Sequence, residues 1–219
     1  MMRSILVAVA ATAAVLVTTQ GCGVDLGVGD PCTPEQEFNT TFSGFSEKEV
    51  SVESKSFQCQ TRLCLVNHFR GRVSCPYGQD SQGAPPSGVD SADPGAKGCY
   101  VPGFKPADGD EDSEESQKNK VAPDLPAPLG NCVASQCEQR KAENAVYCSC
   151  RCANLDGKTD DGAVYCECPE GFACTQLVSS IGGANEGLTG SYCIKNNTEY
   201  KAQDPCTSLD TSNPSKCVQ

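Results

Sequence analysis

Cys148, Cys150 and Cys152 stand one residue apart in CSCRC, and Cys166 and Cys168 repeat the step in CEC. Thiols so placed can hold a metal, attack an electrophile or oxidise to disulfides. Strong zinc ribbons use C-x2-C spacing, which this stretch lacks. Cysteines two apart on a strand have Cα atoms roughly 6.6 Å apart, near the upper limit for bridging, so they should bond to separate partners. Disulfides are therefore the expected chemistry.

The remaining reactive residues are sparse. His68 is the single histidine, and a catalytic base or zinc ligand needs partners, so a structural role is expected. Asn154, Asp156, Asp160 and Asp161 form the best candidate for calcium, although the loop lacks EF-hand spacing and its terminal Glu. The acidic run Asp108 to Glu115 reads as a solvated spacer. No G-x-S-x-G occurs, and IGGANEGLTG lacks the Lys-Ser/Thr pair of a phosphate loop. A hydrolase using two carboxylates would need a cleft in a larger core than this chain can build. No catalytic residue and no cofactor is expected.

The elements that must position these cysteines begin with an export signal. Arg3 and the apolar run Ile5 to Val17 read as a signal peptide over residues 1–21, too short to span a bilayer at 13 residues against the roughly 20 required. Gly21-Cys22 then resembles the lipobox of bacterial lipoproteins, with Thr19 where Leu is usual. The resemblance implies that Cys22 carries a lipid and becomes the mature N-terminus. Parity agrees, because 17 cysteines in an exported chain leave one over. The framework would then comprise Cys32, Cys59, Cys64, Cys75, Cys99, Cys132, Cys137, Cys148, Cys150, Cys152, Cys166, Cys168, Cys174, Cys193, Cys206 and Cys217. With no tryptophan and few long apolar runs, disulfides must stand in for a large core, and they persist only in oxidising compartments.

Composition predicts two small cysteine-stapled heads, mainly β hairpins with long irregular loops, joined by a disordered acidic and Pro-rich linker. The expected order is a lipidated tether (22–31), an N-terminal β segment (32–78), a linker (79–131) with a docking island at 99–106, and a C-terminal domain (132–219). EVSVES alternates Val50 and Val52 with polar residues, as a half-buried strand does. CLVNHFRGRVSC reads as a hairpin of Cys64–Phe69 and Arg72–Cys75 around Arg70-Gly71, placing Cys64 near Cys75. AVYCSC at Ala145–Cys150 recurs as AVYCEC at Ala163–Cys168, two strands of a second expected hairpin. Cys32, Cys59, Cys64 and Cys75 make a closed set of four, so Cys99 is expected to pair into the C-terminal domain.

A formal net charge of −11, or −12 once Arg3 leaves with the signal, and the lack of a basic stripe argue against nucleic acid as a partner. CECPEGFAC, Cys166–Cys174, resembles the C-terminal turn of epidermal growth factor modules, and Pro169-Glu170-Gly171 makes a turn on its own chemistry. The Gly21-Cys22 start, CLVNHFRGRVSCPYG, CSCRC and GSYC together resemble cysteine-rich outer-membrane lipoproteins of myxobacteria and related soil bacteria. That resemblance implies an exported protein held in the outer membrane by its lipid, facing the periplasm or the surface. The expected role is structural, or binding of a protein or glycan. The alternative is a disulfide-rich inhibitor or toxin-like secreted effector.

Overall fold

The structure is a computed structural model that describes residues 26–80, 99, 101–102, 132–178, 188–201 and 206. The signal, Cys22, Cys217, Tyr100, Phe104 and the acidic run lie outside the described residues. The fold is small and mostly β, in two three-stranded antiparallel sheets. The first has the order β1 (Val50–Glu53), β2 (Cys64–Asn67), β3 (Val146–Cys148); the second has β4 (Arg151–Ala153), β6 (Gly190–Lys195), β5 (Phe172–Val178). One helical turn, α1 (Ala142–Ala145), leads into β3. Among the described residues no helix is long and apolar enough to cross a membrane.

β1 forms where the Val50/Val52 alternation places it, and both valines pack against a core shared by the sheets. That core joins Leu63, Leu65 and Tyr147 from the first sheet to Tyr192 and Ile194 of β6. Tyr147 is buried and accepts a 3.0 Å bond at its hydroxyl from the Lys195 amide, so its polar tip is satisfied inside the core. Ser149 carries the chain between sheets: its amide donates to the Leu63 carbonyl and its hydroxyl to that of Cys193, at 3.0 and 2.8 Å. Fully burying a large apolar side chain stabilises by about 2 kcal/mol. Each disulfide contributes about 2 to 4 kcal/mol, so sulfur rivals this small core as the source of stability.

Seven disulfides are placed: Cys32–Cys64, Cys59–Cys148, Cys75–Cys99, Cys137–Cys206, Cys150–Cys166, Cys152–Cys174 and Cys168–Cys193. Cys132 is disulfide-bonded as well. The cysteines two apart do go to separate partners. The closed set of four does not form, because Cys59 crosses to Cys148, whose strand lies beside β2 in register Cys64↔Cys148. Cys99 bonds Cys75 rather than a cysteine of the C-terminal part. It is seated there by Val133, against which both sulfurs pack, and by its amide, which donates to Gln79 Oε1 at 3.2 Å. Because β2 and β3 share a sheet, segments 32–78 and 132–153 fold together across the expected boundary.

The first expected hairpin is also replaced. Gly71 exchanges both backbone bonds with Phe45, and Arg72 and Cys75 close a turn of their own. The cause is Arg72, which is buried instead of sitting at a strand surface. Its guanidinium donates to the carbonyls of Glu37, Asn39 (3.1 Å) and Phe42 (2.9 Å). The Glu37 carboxylate, 3.9 Å away, accepts from the Val73 and Ser74 amides and the Ser74 hydroxyl. Burial pushes the Glu37 carboxyl up, and these donors and Arg72 oppose that. Gly71, at φ +88, is required here: an added Cβ would lie 2.2 Å from the Ala134 carbonyl oxygen.

The second copy of the AVYC repeat forms no strand. Cys166 bonds back to Cys150 and its amide donates to the Arg151 carbonyl at 3.1 Å, which tacks the copy across β4 and leaves Val164 94 % exposed. β4 and β5 pair with β6 instead. The Pro169-Glu170-Gly171 turn is present, closed by the Phe172 amide on the Pro169 carbonyl at 3.1 Å, with Gly171 at φ +88. The tether is shorter than expected, because Gly29 and Asp30 exchange 2.8 Å bonds with Cys148 and so extend the first sheet.

Candidate binding site

β1 ends at Glu53, and the chain loops outward through Phe57 before returning to β2. The loop closes on itself: the Ser56 amide donates to the Arg62 carbonyl at 3.1 Å, and the Arg62 amide to that of Cys59 at 2.9 Å. Arg62 takes the left-handed conformation at φ 63 to make that return. The Cys59–Cys148 bond fixes the loop's base to β3. Gln58 fastens its flank, accepting from the Thr33 amide at 3.0 Å and donating to the Thr33 carbonyl at 2.7 Å. Glu53 accepts from the Glu35 amide at 2.9 Å, which places a carboxylate at the start of the 3-10 turn Glu35–Phe38.

These bonds leave a cleft of about 640 Å³ between the loop and that turn, within the range of small-ligand sites. Phe57 stands beside it 87 % exposed and Phe38 49 % exposed. The Arg62 guanidinium lies over the Phe57 ring, 4.6 Å from its centroid, an arrangement that orients the ring through its quadrupole. Ser56 also lines the cleft; it is 2 % exposed and its hydroxyl has no hydrogen-bond partner. Buried hydroxyls are ordinarily paired. No protein-family model, curated protein or solved structure matches this chain.

The cleft was not foreseen. Its signal in the sequence was Phe57 among polar residues in SKSFQCQ, an apolar residue on no periodic face. The calcium candidate is assembled differently from a ligand set. Asp161 accepts from Asn154 Nδ2 (3.0 Å), the Ala163 amide (3.1 Å) and the Tyr165 hydroxyl (2.7 Å). Asn154 Oδ1 accepts from the Asp156 and Lys158 amides at 3.0 and 2.8 Å. Those oxygens shape the loop while Asp156 and Asp160 face solvent. The Tyr165 hydroxyl, with the other two donors, brings the Asp161 carboxyl down to about 2.

Potential metal ligands do cluster among the described residues, as the sulfur triads Cys32/Cys59/Cys148, Cys150/Cys166/Cys193 and Cys152/Cys168/Cys174. Each of these sulfurs is in a disulfide, whereas a metal binds the thiolate. His68 donates or accepts at Nδ1 with the Glu47 carbonyl; since a carbonyl only accepts, Nδ1 carries the proton, at 2.9 Å. Its ring stacks on Tyr200 at 3.9 Å, and burial lowers its pKa.

Proposed function

We propose that this chain is a lipid-anchored extracytoplasmic protein of the bacterial outer membrane with a binding role, exercised through the cleft beside Phe57. The observation that carries the binding role is an exposed aromatic ring, covered on one face by Arg62, beside a cleft of about 640 Å³. Phe57 and the half-exposed Phe38 line the same cleft, so two rings leave apolar surface in water there. Parity supports the anchor. Seven placed disulfides use fourteen cysteines and Cys132 is a fifteenth bonded one, so one of Cys22 and Cys217 closes the last bond and the other is left over. In this reading Cys132 takes Cys217, which frees Cys22 for acylation.

The anchor would hold the body close to the membrane, since Cys22 to Gly29 spans at most about 25 Å fully extended. Intact mass spectrometry of the membrane fraction, with peptide mapping, tests the anchor; an unacylated Cys22 bonded to Cys132 refutes it. Retention of the purified mature protein on envelope fragments of the producing cells tests the cleft, and Phe57→Ala should cut retention at least tenfold. The inhibitor reading has one observation of its own, the disulfide-closed loop that exposes Val164. Inhibition of a serine or cysteine protease that Val164→Asp abolishes would favour it.

A further inference from the structure

The cleft's chemistry narrows its ligand. Resting on the reading of this cleft as the binding site, we infer that it takes a neutral carbohydrate, with a pyranose ring stacked on Phe57 and a hydroxyl donated to the Glu35 carboxylate. Three features of the cleft lead there.

Charge comes first. Glu35 and Glu53 line the cleft with Lys55 and Arg62, two of each sign, so it carries no net field to select an ion. The chain as a whole, at −11, repels anionic polymers. Both facts favour an uncharged ligand over a phosphate, a uronate or a charged peptide.

The backbone is the second feature. A peptide added as a strand is held by free amides and carbonyls in a row. At this cleft the Thr33 amide and carbonyl are taken by Gln58, the Glu35 amide by Glu53 and the Ser56 amide by the Arg62 carbonyl. Those groups are closed to a ligand, and the side chains at the cleft offer a ring face, carboxylates, an amine and a guanidinium.

The third is the match of those side chains to a sugar. A pyranose offers one face of C–H groups, partly positive, to the electron-rich face of an aromatic ring. Arg62 covers one face of Phe57 and the 87 % exposure leaves the other to a ligand. Around its rim the sugar presents hydroxyls that can donate, which suits the exposed Glu35 carboxylate.

The test uses the mature full-length protein in detergent on immobilised neutral oligosaccharides built from glucose, galactose, mannose or N-acetylglucosamine, four to six units long. At least one should be retained, with Phe57→Ala weakening it tenfold or more and Glu35→Gln about threefold, while the unfolding midpoint of Phe57→Ala stays unchanged. Envelope fragments supply the second arm. Protease-stripped fragments should keep their retention and periodate-oxidised fragments, whose sugar diols are cleaved, should lose it. Loss on protease treatment with survival of periodate overturns the carbohydrate while leaving the cleft as a protein site. Retention that Phe57→Ala does not change, on sugars and fragments alike, overturns the inference and the binding reading together.

Discussion

Replacing Cys59 and Cys148 by alanine together removes the one disulfide, among those with both ends described, that joins the 26–80 segment to the residues after 132. The sequence separation is 89 residues, but the Cys75–Cys99 bond shortens the loop in the unfolded chain. The path runs 16 residues from Cys59 to Cys75 and 49 from Cys99 to Cys148, about 65 in all. For a loop of that size the chain-entropy relation gives about 14 cal/mol/K, or about 4 kcal/mol at 25 °C. Both cysteines are buried, so lost sulfur packing adds to the loss. Guanidinium unfolding followed by far-ultraviolet circular dichroism should show that decrease together with a steeper denaturant dependence, because the freed chain expands on unfolding. A decrease below about 2 kcal/mol with the dependence unchanged would refute the claim that this bond acts by restraining the unfolded chain.

Glu37→Gln should cost about 3 kcal/mol in the same unfolding experiment at neutral pH, because the Arg72 guanidinium would stay buried without its counter-charge. Gly71→Ala should cost at least about 3 kcal/mol or prevent accumulation of folded protein, since the new Cβ meets the Ala134 carbonyl oxygen from a left-handed backbone. Asp161 should titrate near 2 by carboxyl NMR, against 3.8 for a free aspartate. Its pKa is depressed in the folded loop, so the loop's stabilisation is present above the unfolded value and is lost as pH falls towards 2. Tyr165→Phe, which removes one of the three donors, should move that titration upward; a midpoint near 3.8 in the parent protein would contradict the hydrogen-bonded loop.

What the sequence disclosed was local or compositional. Val50 and Val52 revealed β1 because both pack on the shared core while Ser51 and Glu53 are polar, although all four are half-buried. The abundance of cysteine announced a sulfur-held fold because that need follows from the lack of core residues alone. Pairing was less accessible, since register depends on which strands meet. Cys148 reaches Cys59 only because β3 lies beside β2, a contact between residues some eighty apart that no short pattern encodes. The AVYC repeat misled for the same reason: identical letters at Tyr147 and Tyr165 meet a core in one case and only Arg151 and the Asp161 loop in the other. Arg72 hid because a basic residue in a β-like run reads as surface, and its burial depends on carbonyls thirty or more residues earlier. Phe57 was visible only as an apolar residue out of pattern, and the cleft beside it needs Thr33 and Glu35 brought from upstream.

The Cys59–Cys148 bond also decides how the molecule would respond to a protease. The Pro- and acid-rich stretch between Cys99 and Cys132 holds many bonds an enzyme could cut, yet a single scission there leaves both fragments tethered through sulfur. On a gel the clipped protein would keep its mass until reductant is added. A protein fastened in this way can be nicked without shedding either piece.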